Sequence, residues 1–405
     1  MPSGILKKPS FIIVGAGAFG ASTALHLIRR GYTDVLLLDS HSYPSPDQAS
    51  NDTSRAVRTD YTAPFYAKLA LKAIEGWRND PVFAPHYHHT GRVGAARPDG
   101  KYHTKACKET LETIGVSFEQ LSFGSDVSKL SEKFPGLNGP VPAWDLYYTP
   151  HEGWAHPRNA IGAALAEFQQ RGGKFIGHDE KGRVVANILA GSKLAAVRTA
   201  DGVDHEADKF IFALGAYASS RLLPGLDTQI YPTGFAIAHW RLTPLECDMW
   251  KDHPVVDLHH HGYFFPPDEN GVMKMGTGIM GFGHGSQQRK DQHGNVKSGV
   301  ATARKNSLLV GTRDEAAIPR EAEEGIRWIL SQMAPAFSNK PFFDMKVCWD
   351  GMTPDGGWII DTHPEMENLV VAIGGSGHGF KFLPIVGQWI SENACDQAMI
   401  VSETR

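Results

Sequence analysis

Residues 11–20 read Phe-Ile-Ile-Val-Gly-Ala-Gly-Ala-Phe-Gly, and they run into a helical stretch, Ala21 to Arg30, and then Val35 to Leu38 ending in Asp39. The order is strand, tight turn, helix, second strand and terminal acid, which is the βαβ unit that cradles the ADP part of a dinucleotide. Gly15 permits the turn, Gly17 lets the backbone approach a pyrophosphate, and Gly20 lets the helix pack closely on the strand. Ala18 and Phe19 belong to the same cofactor-binding turn, at the helix N-terminus that faces the phosphates. Asp39 is placed to take the ribose hydroxyls. A Gly-x-Gly-x-x-Gly run alone is a weak signal; the flanking strands and the acid about 20 residues on give it weight.

The rest of the chain is consistent with a small-molecule partner. Its 405 residues suffice for two domains, and 41% hydrophobic, 21% charged and a net charge of −4 describe an ordinary globular protein. No basic excess suggests nucleic acid or an anionic membrane. Cys107, Cys247, Cys348 and Cys395 have no paired spacing, so neither a zinc motif nor a disulfide framework is indicated, which fits a reducing compartment. The first residues lead directly into the first strand without a signal peptide, and no apolar run approaches the ~20 residues of a membrane helix. The chain ends in Glu-Thr-Arg rather than a peroxisomal Ser-Lys-Leu, so the cytoplasm is the expected location with the peroxisome as the alternative, and a monomer is expected.

Further along, Phe175 to His178, Arg183 to Leu189 and Lys193 to Arg198 read as short strands, and Asp208 to Ala216 as a buried strand ending at Gly215. In flavoproteins with such a first motif, this last strand returns to the nucleotide-binding sheet. A final strand, Leu369 to Ile373, precedes the loop Gly374-Gly-Ser-Gly-His-Gly-Phe-Lys381 and a helix from about Pro384 to Ala394. The nucleotide-binding domain is therefore expected over 1–80, 149–230 and 346–405. A substrate domain over 81–148 and 231–345, with aromatic strands such as Gly262 to Phe265, is interleaved with it. Gln287 to Val300 is polar and reads as a surface loop.

Six stretches together resemble one family. They are Asn51-Asp-Thr-Ser-Arg-Ala-Val-Arg58, Gly76-Trp-Arg-Asn-Asp-Pro-Val-Phe83 with His89-Thr-Gly91, Gly262 to Lys274, Val347-Cys-Trp-Asp-Gly-Met-Thr-Pro-Asp355, Trp358 to Pro364, and Ser376-Gly-His-Gly-Phe-Lys-Phe382. From Ile12 to about Gly387 the chain looks like the monomeric sarcosine oxidase and fructosyl amino acid oxidase (amadoriase) group, and also like saccharopine and pipecolate oxidases. The resemblance implies an α/β fold, with a Rossmann-type FAD-binding domain and an interleaved antiparallel-sheet substrate domain, like glutathione reductase and D-amino-acid oxidase. It implies FAD held by a thioether through Cys348, for which the thiolate is the reactive form. Ser54, Arg55, Gly215, Gly377, Gly379 and Phe380 complete the implied cofactor set. Arg58 and Lys381 match the cations that hold a substrate carboxylate, a bidentate fork and a point charge, and would form a cation pair awaiting an anion. Lys274 matches the lysine that promotes oxygen reduction by placing positive charge where negative charge develops. Inward-facing in an apolar strand, it is expected to be compensated by water or the flavin. The plainer readings are a buried structural cysteine, surface loop cations and an outward-facing strand lysine.

The implied reaction takes a hydride from the carbon beside a secondary amine to the flavin. The resulting imine is hydrolysed, and oxygen is reduced to hydrogen peroxide. Two departures from sarcosine oxidase point to an N-substituent larger than methyl, as in a fructosyl amino acid, saccharopine or pipecolate. Trp349 and Asp350 follow the flavin cysteine where the family has Tyr, and Gly278 replaces the His four residues beyond Lys274. Asp350 could meet a polar or cationic group. No general base is evident. A dehydrogenase using another acceptor, a biosynthetic oxidase whose imine cyclises, and a non-catalytic flavin-fold binding protein are the rivals. The clusters His86, His88, His89 and His259, His260, His261 are read as solvated strand ends or loops, with no metal. The stretch beyond Lys381 is shorter than the resemblance leads one to expect.

Overall fold

A computed structural model describes residues 8–122, 126–218, 222–226, 229–259, 261–277 and 318–395, with the backbone of two short strands, Arg289–Lys290 and Val296–Lys297. Gly278, His260, most of the expected loop from Gln287 to Val300, the first seven residues and those after 395 lie outside the described residues.

The strand Phe11–Val14 is central to a six-stranded sheet, flanked in parallel by Val35–Asp39 on one side and Lys209–Phe212 on the other. Lys174–Gly177 and Met366–Ile373 extend it in parallel, and Ile359–His363 closes one edge antiparallel. Alternation along the first strand decides what covers each face. Phe11 and Ile13 pack with the helices Ala18–Arg29, Pro157–Gln170 and Leu383–Ala394; Ile12 and Val14 pack against a three-stranded antiparallel meander built from Val184–Ala190, Lys193–Thr199 and Asp204–Glu206. A strand buried on both faces reads as a continuous apolar run, which is what Phe-Ile-Ile-Val is. The first helix and the C-terminal helix touch backbone to backbone. A Cβ on Gly387 would lie 2.2 Å from the Ser22 carbonyl oxygen, and Ser22 Oγ donates to Leu383 O at 2.7 Å and accepts from Gly387 N at 2.8 Å.

A second, eight-stranded sheet runs in the order Phe343–Met352, Tyr231–Arg241, Val272–Thr277, Gly262–Phe264, Val255–Leu258, Arg92–Ala96, Asp145–Thr149, Glu119–Gln120. It is antiparallel as expected except for one parallel pair, Val255–Leu258 with Arg92–Ala96, whose connection crosses over through other elements. The helix Arg320–Met333 packs Ile326, Ile329 and Leu330 with Trp240, Met273 and Met275 of this sheet. The strand Phe343–Met352 carries the sheet past position 346, where the sequence reading divides the chain. Eight residue pairs with Tyr231–Arg241 set that register, placing Cys348 opposite Phe235 and Asp350 opposite Thr233. Among the described residues no helix is long and apolar enough to cross a membrane.

Candidate active site

One cavity of about 600 Å³ runs from the first turn, at Gly15, Gly17, Ala18 and Phe19, past Asp39 and Gly215 to Arg55, Cys348, Gly377, Gly379 and Phe380, ending at Arg58 and Lys381. The turn has the geometry a dinucleotide needs. Gly15 has φ +101°, where a Cβ would stand 2.3 Å from the Ala213 carbonyl oxygen, and a Cβ on Gly20 would stand 1.8 Å from Gly15 O. At Gly17 a Cβ would meet nothing within 4 Å, so its backbone faces open space at the helix N-terminus. Asp39 knits the turn together: Oδ2 accepts from Ala16 N at 2.8 Å and Oδ1 from His41 N at 3.1 Å. Burial pushes its pKa up, against these hydrogen bonds. Gln48 Oε1 and the Tyr217 hydroxyl belong to cavity-lining residues and are buried without a protein hydrogen-bond partner. A long cleft with a phosphate-facing turn and unsatisfied polar atoms in its wall fits FAD. Gly20 and Ser54 do not line it; Gly20 serves the packing of the turn, and the Ser54 carbonyl holds Lys274.

At the middle of the cavity, Arg55 Nη2 donates to Cys348 Sγ at 3.3 Å. Burial pushes the thiol pKa up, and the guanidinium opposes that by favouring the thiolate. Arg55 also pairs with Asp52 and with the Ala49 carbonyl. Lys274, 1% exposed, places Nζ 2.5 Å from Asp52 Oδ2 and donates to Ser54 O at 2.8 Å. The lysine is therefore inward-facing as read, but its charge is compensated by Asp52, and it is not among the residues at the cavity wall. Burial, with Arg55 beside it, brings Lys274 down to about 7 despite Asp52. Burial works against ionising Asp52, yet Lys274 and Arg55 hold its carboxyl well below the ordinary value. Asp52 stands in the quoted run Asn51 to Arg58, but its partner lies on a distant strand, so spacing alone could not reveal the pair.

The fold brings Arg58 and Lys381 to the same wall. Arg58 Cζ and Lys381 Nζ sit 5.1 and 5.0 Å from the Tyr61 ring centre. They are not a bare cation pair. Arg58 Nη1 donates to Asp60 Oδ1 at 2.8 Å, and its Nε lies 3.7 Å from Asp257. Behind it Arg92, fully buried, faces Asp60 at 2.5 Å, Glu152 at 2.6 Å and Asp257 at 3.6 Å. Lys381 Nζ donates to the Tyr61 hydroxyl at 2.8 Å and to His378 O at 3.1 Å, and Trp77 Nε1 donates to Lys381 O at 2.7 Å. That last contact gives the Gly76-Trp77 stretch a role, since the helix Pro64–Asn79 anchors the backbone of the lysine loop. Asp350 Oδ2 accepts from Gly377 N at 2.5 Å, so one oxygen of this carboxylate orders the glycine loop while the residue also lines the cavity.

The second histidine cluster differs from its reading. His259 is buried at the cavity wall because the strand before it lies inside the sheet, its N–H donating to Ala95 O at 2.9 Å; burial lowers its pKa to about 4. His88 and His89 are exposed and His86 is half-buried. Two clusters of ligand-type atoms arise among the described residues, His103–Cys107–His259 and Asp60–Asp257–His259, and in the latter the carboxylates already face Arg58 and Arg92.

Known proteins are similar to this chain over most of its length. L-saccharopine oxidase of Schizosaccharomyces pombe is 28% identical over 405 aligned residues, spanning 95% of this chain and 89% of that protein. Monomeric sarcosine oxidase of a Bacillus species is 27% identical, spanning 95% and 92%. The crystal structure of the deglycating enzyme fructosamine oxidase (Amadoriase II) from Aspergillus fumigatus superimposes with a TM-score of 0.83 at 31% identity, covering 98% of this chain and 88% of that one. The family model described as FAD dependent oxidoreductase matches residues 10–393, which takes in the dinucleotide turn, both sheets and the Lys381 wall. The chain belongs to this FAD-dependent oxidoreductase family.

Proposed function

We propose that the protein oxidises the C–N bond of an N-substituted α-amino acid to an imine, with FAD attached through Cys348 and oxygen as the electron acceptor. The observation that carries this reading is the shared wall: Arg58 and Lys381 meet at one end of the cavity that also holds Cys348 and the dinucleotide turn. Bound FAD would supply a hydride acceptor for the carbon beside the amine and a route for the electrons to oxygen. The chain's own residues do the rest. Lys381 and Arg58 offer donors to the carboxylate, Asp60 fixes the Arg58 fork, and Trp77 fixes the lysine loop. The names of the relatives and structural neighbours, saccharopine, sarcosine and fructosamine oxidases, support a secondary amine. Among the described residues one chain supplies Arg58, Lys381 and Cys348 of the wall, which is compatible with a monomer; the cytoplasm is proposed from the sequence alone. A peroxide-coupled screen of sarcosine, pipecolate, saccharopine and fructosyl amino acids identifies the N-substituent; a signal from none of them rejects the reading.

The cysteine is tested without substrate. Acid-precipitated holoenzyme is expected to keep its yellow colour in the pellet, and Cys348→Ser to release it to the supernatant. Colour wholly in the wild-type supernatant means that Cys348 is only a buried thiol.

Lys381→Met is expected to weaken binding of the substrate carboxylate by about tenfold to a hundredfold, since one charge-assisted hydrogen bond contributes about 1.5–3 kcal/mol. Titrating flavin absorbance with acetate measures it. Unchanged acetate affinity would move the carboxylate to Arg58 alone.

A further inference from the structure

Hydrogen-bond directions around Lys381 are over-determined. His378 Nε2 lies 2.9 Å from the Gly356 carbonyl oxygen, which can only accept, so Nε2 carries a proton. Burial, with Lys381 nearby, lowers the His378 pKa to about 3, so the ring is neutral and Nδ1 has a lone pair. The Tyr61 hydroxyl, 3.1 Å from Nδ1, must then donate to it. Having spent its one proton, Tyr61 can only accept from Lys381 Nζ at 2.8 Å. The other partner of Nζ, the His378 carbonyl oxygen at 3.1 Å, is also only an acceptor. Two acceptors take two N–H bonds of Nζ and leave its remaining position, a lone pair when the amine is neutral, for the cavity, which Lys381 lines.

The surroundings disfavour a third proton. Lys381 is 3% exposed, and among the described residues it makes no ion pair within 4.0 Å. Arg58 shares the Tyr61 ring with it. The faces of Tyr61 and Phe382, 5.0 and 5.5 Å from Nζ, substitute weakly for a carboxylate. Burial and Arg58 push the lysine pKa well below its ordinary value, with Asp60, Asp257 and Glu152 acting the other way from farther off.

We propose that Lys381 is a neutral amine in the resting enzyme and is the base that deprotonates the substrate; this rests on the amino-acid oxidase reading above. An N-substituted α-amino acid arrives as a zwitterion, with its nitrogen protonated and unable to release a hydride from the adjacent carbon. One N–H bond of that ammonium breaks, its electron pair stays on the substrate nitrogen, and the proton forms a third N–H bond at Nζ. Net charge is unchanged. The single transfer creates both the neutral amine that oxidation requires and the ammonium that holds the carboxylate.

Ligand binding to wild-type holoenzyme tests this, read from flavin absorbance between about pH 6 and pH 9. Acetate brings no proton, so Lys381 must take one from water, and acetate affinity is expected to fall by about tenfold per pH unit. N,N-dimethylglycine brings its own proton, and its affinity is expected to stay level over the same range. Lys381→Arg, permanently charged, is expected to make acetate binding level and to leave flavin reduction by sarcosine rising with pH, because the substrate must now lose its proton to water. Acetate binding that is level in the wild type, or that falls in parallel with dimethylglycine, overturns the proposal. If neither compound perturbs the flavin and no amino acid reduces it, the amino-acid oxidase reading itself fails, an outcome distinct from the first two.

Discussion

Lys274→Met is expected to slow reoxidation of the reduced holoenzyme by oxygen about a hundredfold while leaving reduction by substrate nearly unchanged. Positive charge matters where oxygen takes up an electron, and one preorganised Coulombic contact of about 3 kcal/mol corresponds to that factor. The structure sharpens the prediction. Lys274 and Arg55 together carry two positive charges against the one carboxylate of Asp52, so the cluster is net positive only while Lys274 is protonated. With burial bringing Lys274 to about 7, wild-type reoxidation should be faster below that pH and decline above it, and the variant should lose this dependence. Stopped-flow measurement of the two half-reactions decides. Equal slowing of both would make Lys274 a structural partner of Asp52.

Arg92→Leu is expected to cost about 3–5 kcal/mol of folding stability, because removing one member of a buried ion network leaves the others uncompensated. Arg92 has no exposed side-chain surface, and neither do its partners Asp60 and Glu152. Glu152 retains the Thr59 N–H and hydroxyl, each at 2.6 Å, and Asp60 retains Arg58, so neither carboxylate is wholly abandoned. The pH dependence has a definite sign. Burial works against ionising Asp60, but Arg92 and Arg58 hold its folded pKa well below its ordinary value. Its contribution is therefore present above about pH 4 and lost as the solution is acidified further, and Arg92→Leu should lessen that loss. Denaturant unfolding at neutral and acid pH measures both. A cost below about 1 kcal/mol would mean that water reaches the network.

The periodic and local parts of this protein were legible in its sequence. Phe11 to Asp39 specified the central strands and turn, because apolar alternation and glycine geometry are local properties. Lys209–Phe212 was recognisable as a returning strand from its apolar run. The motif around Cys348 located the cavity and, with Arg58 and Lys381, most of its length. What could not be read were the partners that set charge. Asp52 meets Lys274 because Val272–Thr277 pairs with Tyr231–Arg241 in one register, which also places His239 opposite Lys274 and 3.5 Å from Asp52. Asp60, Tyr61 and Asp257 carry no motif: Asp257 nears Arg92 because Val255–Leu258 lies beside Arg92–Ala96, and Asp60 and Tyr61 meet Arg92 and Lys381 only in the folded chain. His259 was misread as solvated, since a run of three histidines gives no hint that its first member follows a fully buried strand. Tyr61 and His378, which orient the Lys381 hydrogen bonds, touch each other although they come from opposite ends of the chain.

The central claim is that this cavity oxidises N-substituted α-amino acids, and anaerobic mixing tests it most directly. Holoenzyme mixed without oxygen with sarcosine, pipecolate, saccharopine and a fructosyl amino acid is expected to lose its flavin absorbance with at least one of them. Admitting oxygen should then restore the colour and release one equivalent of hydrogen peroxide per flavin. Decarboxylated analogues should bleach the flavin far more slowly, because they have nothing to offer Arg58 and Lys381. A flavin left oxidised by every amino acid, or bleached as fast by the decarboxylated amines, would contradict the account.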